Sequence, residues 1–179
     1  EYEVHLLLLN NEIEYDIPEN QIVHFLGNGS GFHNDTFNIL KIPVLARQLI
    51  RYCERNEIAL VLSLLARPNF VACYAKKVGF QGKVLISERI YTPLWYRGNE
   101  LRGRIGKFLV SRLYPYADAI LPNSEGTRDA LRDQYGIKGK YTVVKNLVSF
   151  DAVNRLKTED VDDVDFDSFT FVCVAGFRE

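Results

Sequence analysis

The chain predicts an α/β fold, a Rossmann-like parallel sheet with helices on both faces, and three observations carry that reading. Short apolar, β-branched runs of strand length recur along it, the clearest being KVLIS at 83–87. Amphipathic stretches of helical period alternate with those runs, the signature of parallel strands joined by right-handed crossovers. Three of the runs end in polar residues: Arg67 and Asn69, Glu88 and Arg89, and Asn123 and Ser124. Ligands of open parallel sheets sit just beyond the carboxyl ends of strands, so these residues predict one shared crevice.

In chain order, 4–9 reads as an inner strand, and the polar, Pro-containing NNEIEYDIPEN after it as a connection. Residues 21–26 form a second short strand. GNGSGFHNDT carries three glycines with Asn and Ser and reads as a loop. It lacks the Lys of a P-loop and the spacing of a dinucleotide fingerprint, so a plain turn and an anion cradle both stay open, and His33 reads as a loop residue. Over 39–55, Leu45, Leu49, Tyr52 and Cys53 recur at helical spacing, and Pro43 either lies in the first turn or bends the helix there. An apolar strand follows at 58–65. Asn69 is placed to cap the next helix, FVACYAKKVG, which closes at Gly79.

After the strand that starts at Lys83, YTPLWY is an aromatic loop. A helix over 100–114 shows a stripe of Leu101, Ile105, Phe108, Leu109 and Leu113, flanked by Arg104 and Lys107. Arg112 projects within that stripe, where an Arg must snorkel, pair with an acid or reach a ligand. Residues 116–122 form a further strand, and Asn123 and Ser124 can cap the helix SEGTRDALRDQY before Gly136. YTVV is a short strand and DAVNRL a helical turn. Residues 159–167 hold six acids and no Lys or Arg, a solvated linker before a strand at 169–174. The expected division is therefore a Rossmann-like domain over 1–158, then the linker and the first strand of a second domain over 159–179.

A length of 179 residues at 47% hydrophobic content is ample for one large core and excludes a disordered chain. The net charge of −1 gives no whole-chain argument for nucleic-acid binding. Charge is uneven, however: 1–20 hold six acids and no Lys or Arg, whereas 89–112 hold six bases against Glu100. Cys53, Cys73 and Cys173, odd in number and set among apolar residues, read as buried free thiols of a reducing compartment. No acid or His cluster has metal-ligand spacing. No run is long and apolar enough to span a bilayer and no signal peptide is visible, so membrane contact, if made, is expected to be peripheral. The chain contains no Met, opens directly on a strand-like run and stops after another, FTFVCVAG, so both ends are expected to lie within a longer polypeptide.

The order of these motifs resembles the family 4 glycosyltransferases, retaining enzymes of the GT-B architecture. NSEGTRDALRDQYGI…YTVVKNLVSFDAV is similar to the passage that closes the family's N-terminal domain. LARPNFVACYAKKVGFQGKVLISER resembles the subgroup that extends lipid-linked glycans for bacterial surface polysaccharides or protein glycosylation, with its strand ending in Ser-Glu-Arg. VCVAGFRE is similar to the first strand of the C-terminal domain, although Phe177 stands between Gly176 and Arg178, where the family has Gly-Arg in direct succession.

The resemblance implies the acceptor-side half of a longer enzyme. It would use a nucleotide sugar as co-substrate, UDP-linked and carrying an N-acetylhexosamine, and a glycan acceptor on a polyprenyl pyrophosphate. No metal or further cofactor is implied. Glu88 and Arg89 become the candidate catalytic pair, Glu88 bonding sugar hydroxyls or orienting Arg89, and Arg89 stabilising the diphosphate or the acceptor. Arg67, Asn69, Asn123 and Ser124 become candidate acceptor contacts. Arg97, Arg102, Arg104 and Lys107 would meet anionic headgroups or the pyrophosphate, with Tyr91, Trp95 and Tyr96 at the interface. A cytoplasmic protein, peripheral at the inner face of the plasma membrane, is expected. The alternative class is a noncatalytic ligand-binding or regulatory α/β domain, whose rim binds a small anion and whose basic helix binds a protein.

Overall fold

A computed structural model describes residues 3–9, 13, 17–27, 39–97, 101–159, 169 and 171, the side chains of Arg102 and Ala152 excepted. The chain divides into two compact units, 1–146 and 147–179. Most of the loop GNGSGFHNDT with His33, nearly all of the acidic linker, Cys173 and the segment Gly176 to Arg178 lie outside the described residues.

In the first unit, β1 (His5–Leu8) pairs in parallel with β2 (Ile22–Phe25). β3 (Leu60–Leu64), β4 (Lys83–Glu88) and β5 (Ala119–Pro122) form a second parallel sheet in that order. Leu64 is opposite Ser87, and Glu88 is opposite Pro122, so the three carboxyl ends finish at nearly the same level. The expected α/β fold with parallel strands flanked by helices is present, and it places the three polar strand ends on one rim.

Helix α1 (Ile42–Arg55) starts with Pro43 in its first turn, where a missing N–H forfeits no helical bond. Its Leu45, Ala46, Leu49 and Cys53 are buried, and it packs on α2 (Ala66–Lys77). Helix α2 begins before Asn69, contrary to the expected cap. Leu65 alone joins β3 to it, at φ 72 and ψ 159, a region that only glycine enters without strain. The Asn69 N–H donates to Leu65 O at 3.0 Å, so Asn69 is already inside the helix. Pro68 suggests a later start, but a first-turn proline has no helical bond to lose.

Helix α3 (Thr92–Trp95) is a single turn within the aromatic segment, and α4 (Leu101–Leu113) follows. The buried face of α4 runs through Gly103, Gly106, Val110 and Leu113, leaving Leu101 66% and Phe108 59% exposed. The expected stripe was therefore misplaced. A Cβ on Gly106 would stand 2.1 Å from the Tyr96 ring, so the missing side chain is what admits the ring against the helix. Glycines carry no apolar signal, and the pattern could not show that they face inward.

Tyr114–Tyr116 form a 3-10 turn, so β5 starts later than the expected strand. The Ser124 side chain accepts from the Thr127 N–H at 3.1 Å and caps α5 (Glu125–Asp133), as expected. YTVV runs beside β5: Ile120 N–H donates to Lys140 O, Thr142 N–H to Ile120 O and Val144 N–H to Pro122 O. Pro122 has no N–H to return, which limits the pairing to a bridge between Ile120 and Tyr141. The second unit holds α6 (Phe150–Leu156), on which the expected helical turn falls.

The core gathers Val84 and Ile86 of β4, Phe70, Val71 and Cys73 of α2, Val110 and Leu113 of α4, and Tyr114. On the opposite face of β3, Leu60, Leu62 and Leu64 are each about half exposed. Cys53 and Cys73 are free and buried, in line with the buried free thiols expected, and burial pushes the Cys53 thiol up to about 11 and that of Cys73 higher still.

Candidate functional site

The rim is built around the point where β4 becomes loop. Asn123 closes it from β5: its N–H donates to Glu88 O and its Nδ2 to Arg89 O, both at 3.0 Å, while its Oδ1 accepts from Thr127 Oγ1 at 3.2 Å. Arg89 leaves the strand end sideways, its Nη1 donating to Val144 O at 2.8 Å and to Asn146 Oδ1 at 3.2 Å. Glu88 and Arg89 are therefore not a salt bridge with each other, the local pairing that adjacent charges suggest.

Glu88 points inward and is 2% exposed. Its Oε2 accepts from the Tyr114 hydroxyl at 2.5 Å. Burial pushes this carboxyl above its ordinary range, and the Tyr114 hydroxyl, with the nearby Ile90 and Arg89 amides, pulls against the rise. Burial, reinforced by the adjacent carboxylate, raises the Tyr114 phenol well above its ordinary value, so it stays a donor throughout the physiological range. A direct bond from Glu88 to a sugar hydroxyl does not fit this geometry, because the side chain is buried and its Oε2 is bonded to Tyr114.

Asn69 is likewise withdrawn from the rim, with no exposed surface. Its Oδ1 accepts from Ser63 Oγ at 2.7 Å, and its Nδ2 donates to Ser87 O at 3.0 Å and to Tyr114 Oη at 3.4 Å. An acceptor contact through Asn69 does not fit either: the amide is fully buried and both of its N–H groups are donated within the core. Arg67, in the first turn of α2, is half-buried, Asn123 is half-buried and Ser124 is exposed. The structure thus brings Arg67, Arg89, Asn123 and Ser124 to the three strand ends and sets Glu88 and Asn69 beneath them.

Sequence reasoning missed Tyr114, Ser63 and Ser87 as members of the site. Ser63 and Ser87 carried a usable signal, since each is a polar residue inside an otherwise apolar strand run and needs a buried partner. Tyr114, last in an amphipathic pattern, carried none.

The expected basic residues belong to the α3–α4 segment. Arg97, Arg104 and Lys107 are exposed, and Arg102 belongs to the same helix. Arg112 is also exposed and lies 5.6 Å from the Phe108 ring centroid, an i,i+4 cation–π contact. Exposed Leu94, Leu101 and Phe108 share the α3–α4 surface with these cations. Trp95 is half-buried, Tyr96 buried and Tyr91 40% exposed, so Tyr91 is the most open of the three aromatics expected at an interface. Lys107 also lines a cleft of about 300 Å³ with Pro93, Ser111, Gln134 and Tyr135. A second cavity, of about 430 Å³, lies between β2 and α1 beside Arg51, Tyr52 and Arg55, and includes none of the expected site residues.

A parallel α/β sheet with hydrogen-bonding groups gathered on its carboxyl rim is an architecture whose ligands sit beyond the strand ends. The chain belongs to glycosyltransferase family 4, whose family model matches residues 1–152. Over 161 residues it is 35% identical to the N-acetylgalactosamine-N,N'-diacetylbacillosaminyl-diphospho-undecaprenol 4-alpha-N-acetylgalactosaminyltransferase of Campylobacter jejuni subsp. jejuni serotype O:2. That match covers 89% of this chain and 44% of the relative, so the chain spans less than half the length of the protein it resembles.

Proposed function

We propose that the whole polypeptide transfers an N-acetylhexosamine from a UDP-linked donor to a polyprenyl-diphosphate-linked glycan, with retention at the anomeric carbon. This chain would supply the acceptor side and would not turn over by itself. Family membership supports the transferase class over a noncatalytic domain, and the relative's diphospho-undecaprenol acceptor supports the lipid-linked substrate. The observation that carries the acceptor assignment is the α3–α4 surface, where Arg97, Arg104 and Lys107 stand among exposed Leu94, Leu101 and Phe108. Such a face suits the boundary between anionic headgroups and acyl chains. On this reading Lys107, which lines a cleft with Ser111 and Gln134, meets the diphosphate, and Arg89, Arg67, Asn123 and Ser124 on the rim meet the glycan. The working location on this reading is the cytoplasmic face of a membrane, with the protein bound peripherally.

Sedimentation of the full-length gene product with anionic vesicles, with and without a polyprenyl-diphosphate glycan, tests this. Replacing Arg102, Arg104 and Lys107 together by Ala removes about 3 kcal/mol of surface attraction, so partitioning should fall roughly a hundredfold. Binding that the glycolipid strengthens and the triple substitution weakens supports the assignment. Equal binding by both proteins overturns the role of α4.

A further inference from the structure

We propose that the cavity between β2 and α1 is an oxyanion site that takes a phosphate or diphosphate group. It shares no residue with the rim or with the α3–α4 surface, so it stands independently of the transferase reading. One face of α1 makes one of its walls: Gln48, Arg51, Tyr52 and Arg55 follow one another at i, i+3, i+4 and i+7, and all of them line it. The other wall is the carboxyl end of β2, from His24 through Gly27, the kind of place where parallel strands meet ligands.

Two contacts hold these walls together. The Gly27 N–H donates to Gln48 Oε1 at 2.9 Å, which leaves the Gln48 amide nitrogen as a donor. The His24 ring stacks on the Tyr52 ring, with centroids 4.5 Å apart and planes inclined by 27°. Tyr52 is braced in turn from β1, where its hydroxyl shares a hydrogen bond with His5 Nδ1 at 2.8 Å and His5 Nε2 meets Glu3 Oε1 at 2.7 Å. The cavity is therefore preformed, and its volume of about 430 Å³ falls within the roughly 300–1,000 Å³ usual for ligand pockets.

Its charge names the ligand. Arg51 and Arg55 are both exposed, and among the described residues neither makes an ion pair or a hydrogen bond. No described residue that lines the cavity is acidic. On α5, by contrast, Arg128 and Arg132 are met by Asp129 and Asp133, the ordinary way in which a solvated helix face balances its charge. Two guanidiniums one turn apart, left without a counter-charge in a concave space, focus positive potential there. The planar guanidinium fork matches phosphate oxygens in pairs, and two such forks suit a dianion.

The test uses the full-length gene product and reads the arginines themselves. Phenylglyoxal modification of Arg47, Arg51 and Arg55 is followed by peptide mass spectrometry in the presence of inorganic pyrophosphate, of UDP, of a polyprenyl-diphosphate-linked glycan in neutral detergent, and of sodium chloride at matched ionic strength. Arg47, exposed one turn earlier on the same helix but outside the cavity, is the internal control. Pyrophosphate at about ten times its Kd should slow modification of Arg51 and Arg55 about tenfold and leave Arg47 within about twofold of its rate in chloride. Arg51→Ala should raise the pyrophosphate concentration that half-protects Arg55 by roughly tenfold to a hundredfold, and Arg47→Ala should leave it within about twofold. Half-protection by UDP at a lower concentration than by the glycolipid gives the site a soluble nucleotide, and the reverse order gives it the lipid-linked substrate; either order supports the site. Modification of Arg51 and Arg55 at the chloride rate with all three compounds overturns it, as does equal slowing at Arg47 or an unchanged half-protecting concentration in Arg51→Ala.

Discussion

Glu88 is an ionisable group 2% exposed, and the direction of its shift makes a pH prediction. Burial raises its folded pKa above the unfolded value. Its contribution to stability is therefore complete below the unfolded pKa and is lost as pH rises through the folded one, where the native state must ionise a desolvated carboxyl. Glu88→Gln cannot ionise, so the stability of the wild type relative to Glu88→Gln should fall across that window by at most about 1.4 kcal/mol per pH unit. Urea denaturation at several pH values measures it, and a difference that grows with pH would contradict the burial argument. Glu88 and Arg89 were visible in the sequence as an abrupt break in an apolar run, and the break did mark the rim. Which way each side chain turns was not visible, because that depends on Tyr114, distant in the chain and indistinguishable by pattern from an ordinary core aromatic.

At the scale of elements, Gly106 sets the approach of the α3 segment to α4. In an exposed helix interior Gly→Ala gains about 1 kcal/mol of helix propensity. Here the added Cβ would meet the buried Tyr96 ring at 2.1 Å, so Gly106→Ala should destabilise by about 1–3 kcal/mol, opposite in sign to propensity. Thermal unfolding decides between the two, and an unchanged or raised Tm would mean that Tyr96 yields freely. The strands were legible because parallel-sheet strands are continuous apolar runs, and α1 and α5 because their apolar residues follow a helical period. The orientation of α4 was not legible, since its inward face is marked by Gly103 and Gly106, and the start of α2 was hidden by Pro68 and by the strained junction at Leu65.

At the scale of the molecule, family membership assigns the chain to a transferase lineage, while the two faces of its β3–β4–β5 sheet are finished very differently. One carries the core and the buried polar path; the other presents Leu60, Leu62 and Leu64 at about half exposure each. Three leucines in alternation along one strand make a ridge of oil on the surface, and its consequence is colloidal. A preparation of residues 1–179 should take up a hydrophobic dye such as ANS without being unfolded and should self-associate as its concentration rises. Leu62→Lys, which interrupts the ridge at its middle, should reduce both dye fluorescence and light scattering while leaving the far-UV spectrum intact, and equal scattering from the two proteins would place the association elsewhere. The storage buffer for this chain is thus dictated by one strand: low ionic strength and a mild detergent will keep it dispersed, and salting-out conditions will gather it leucine to leucine.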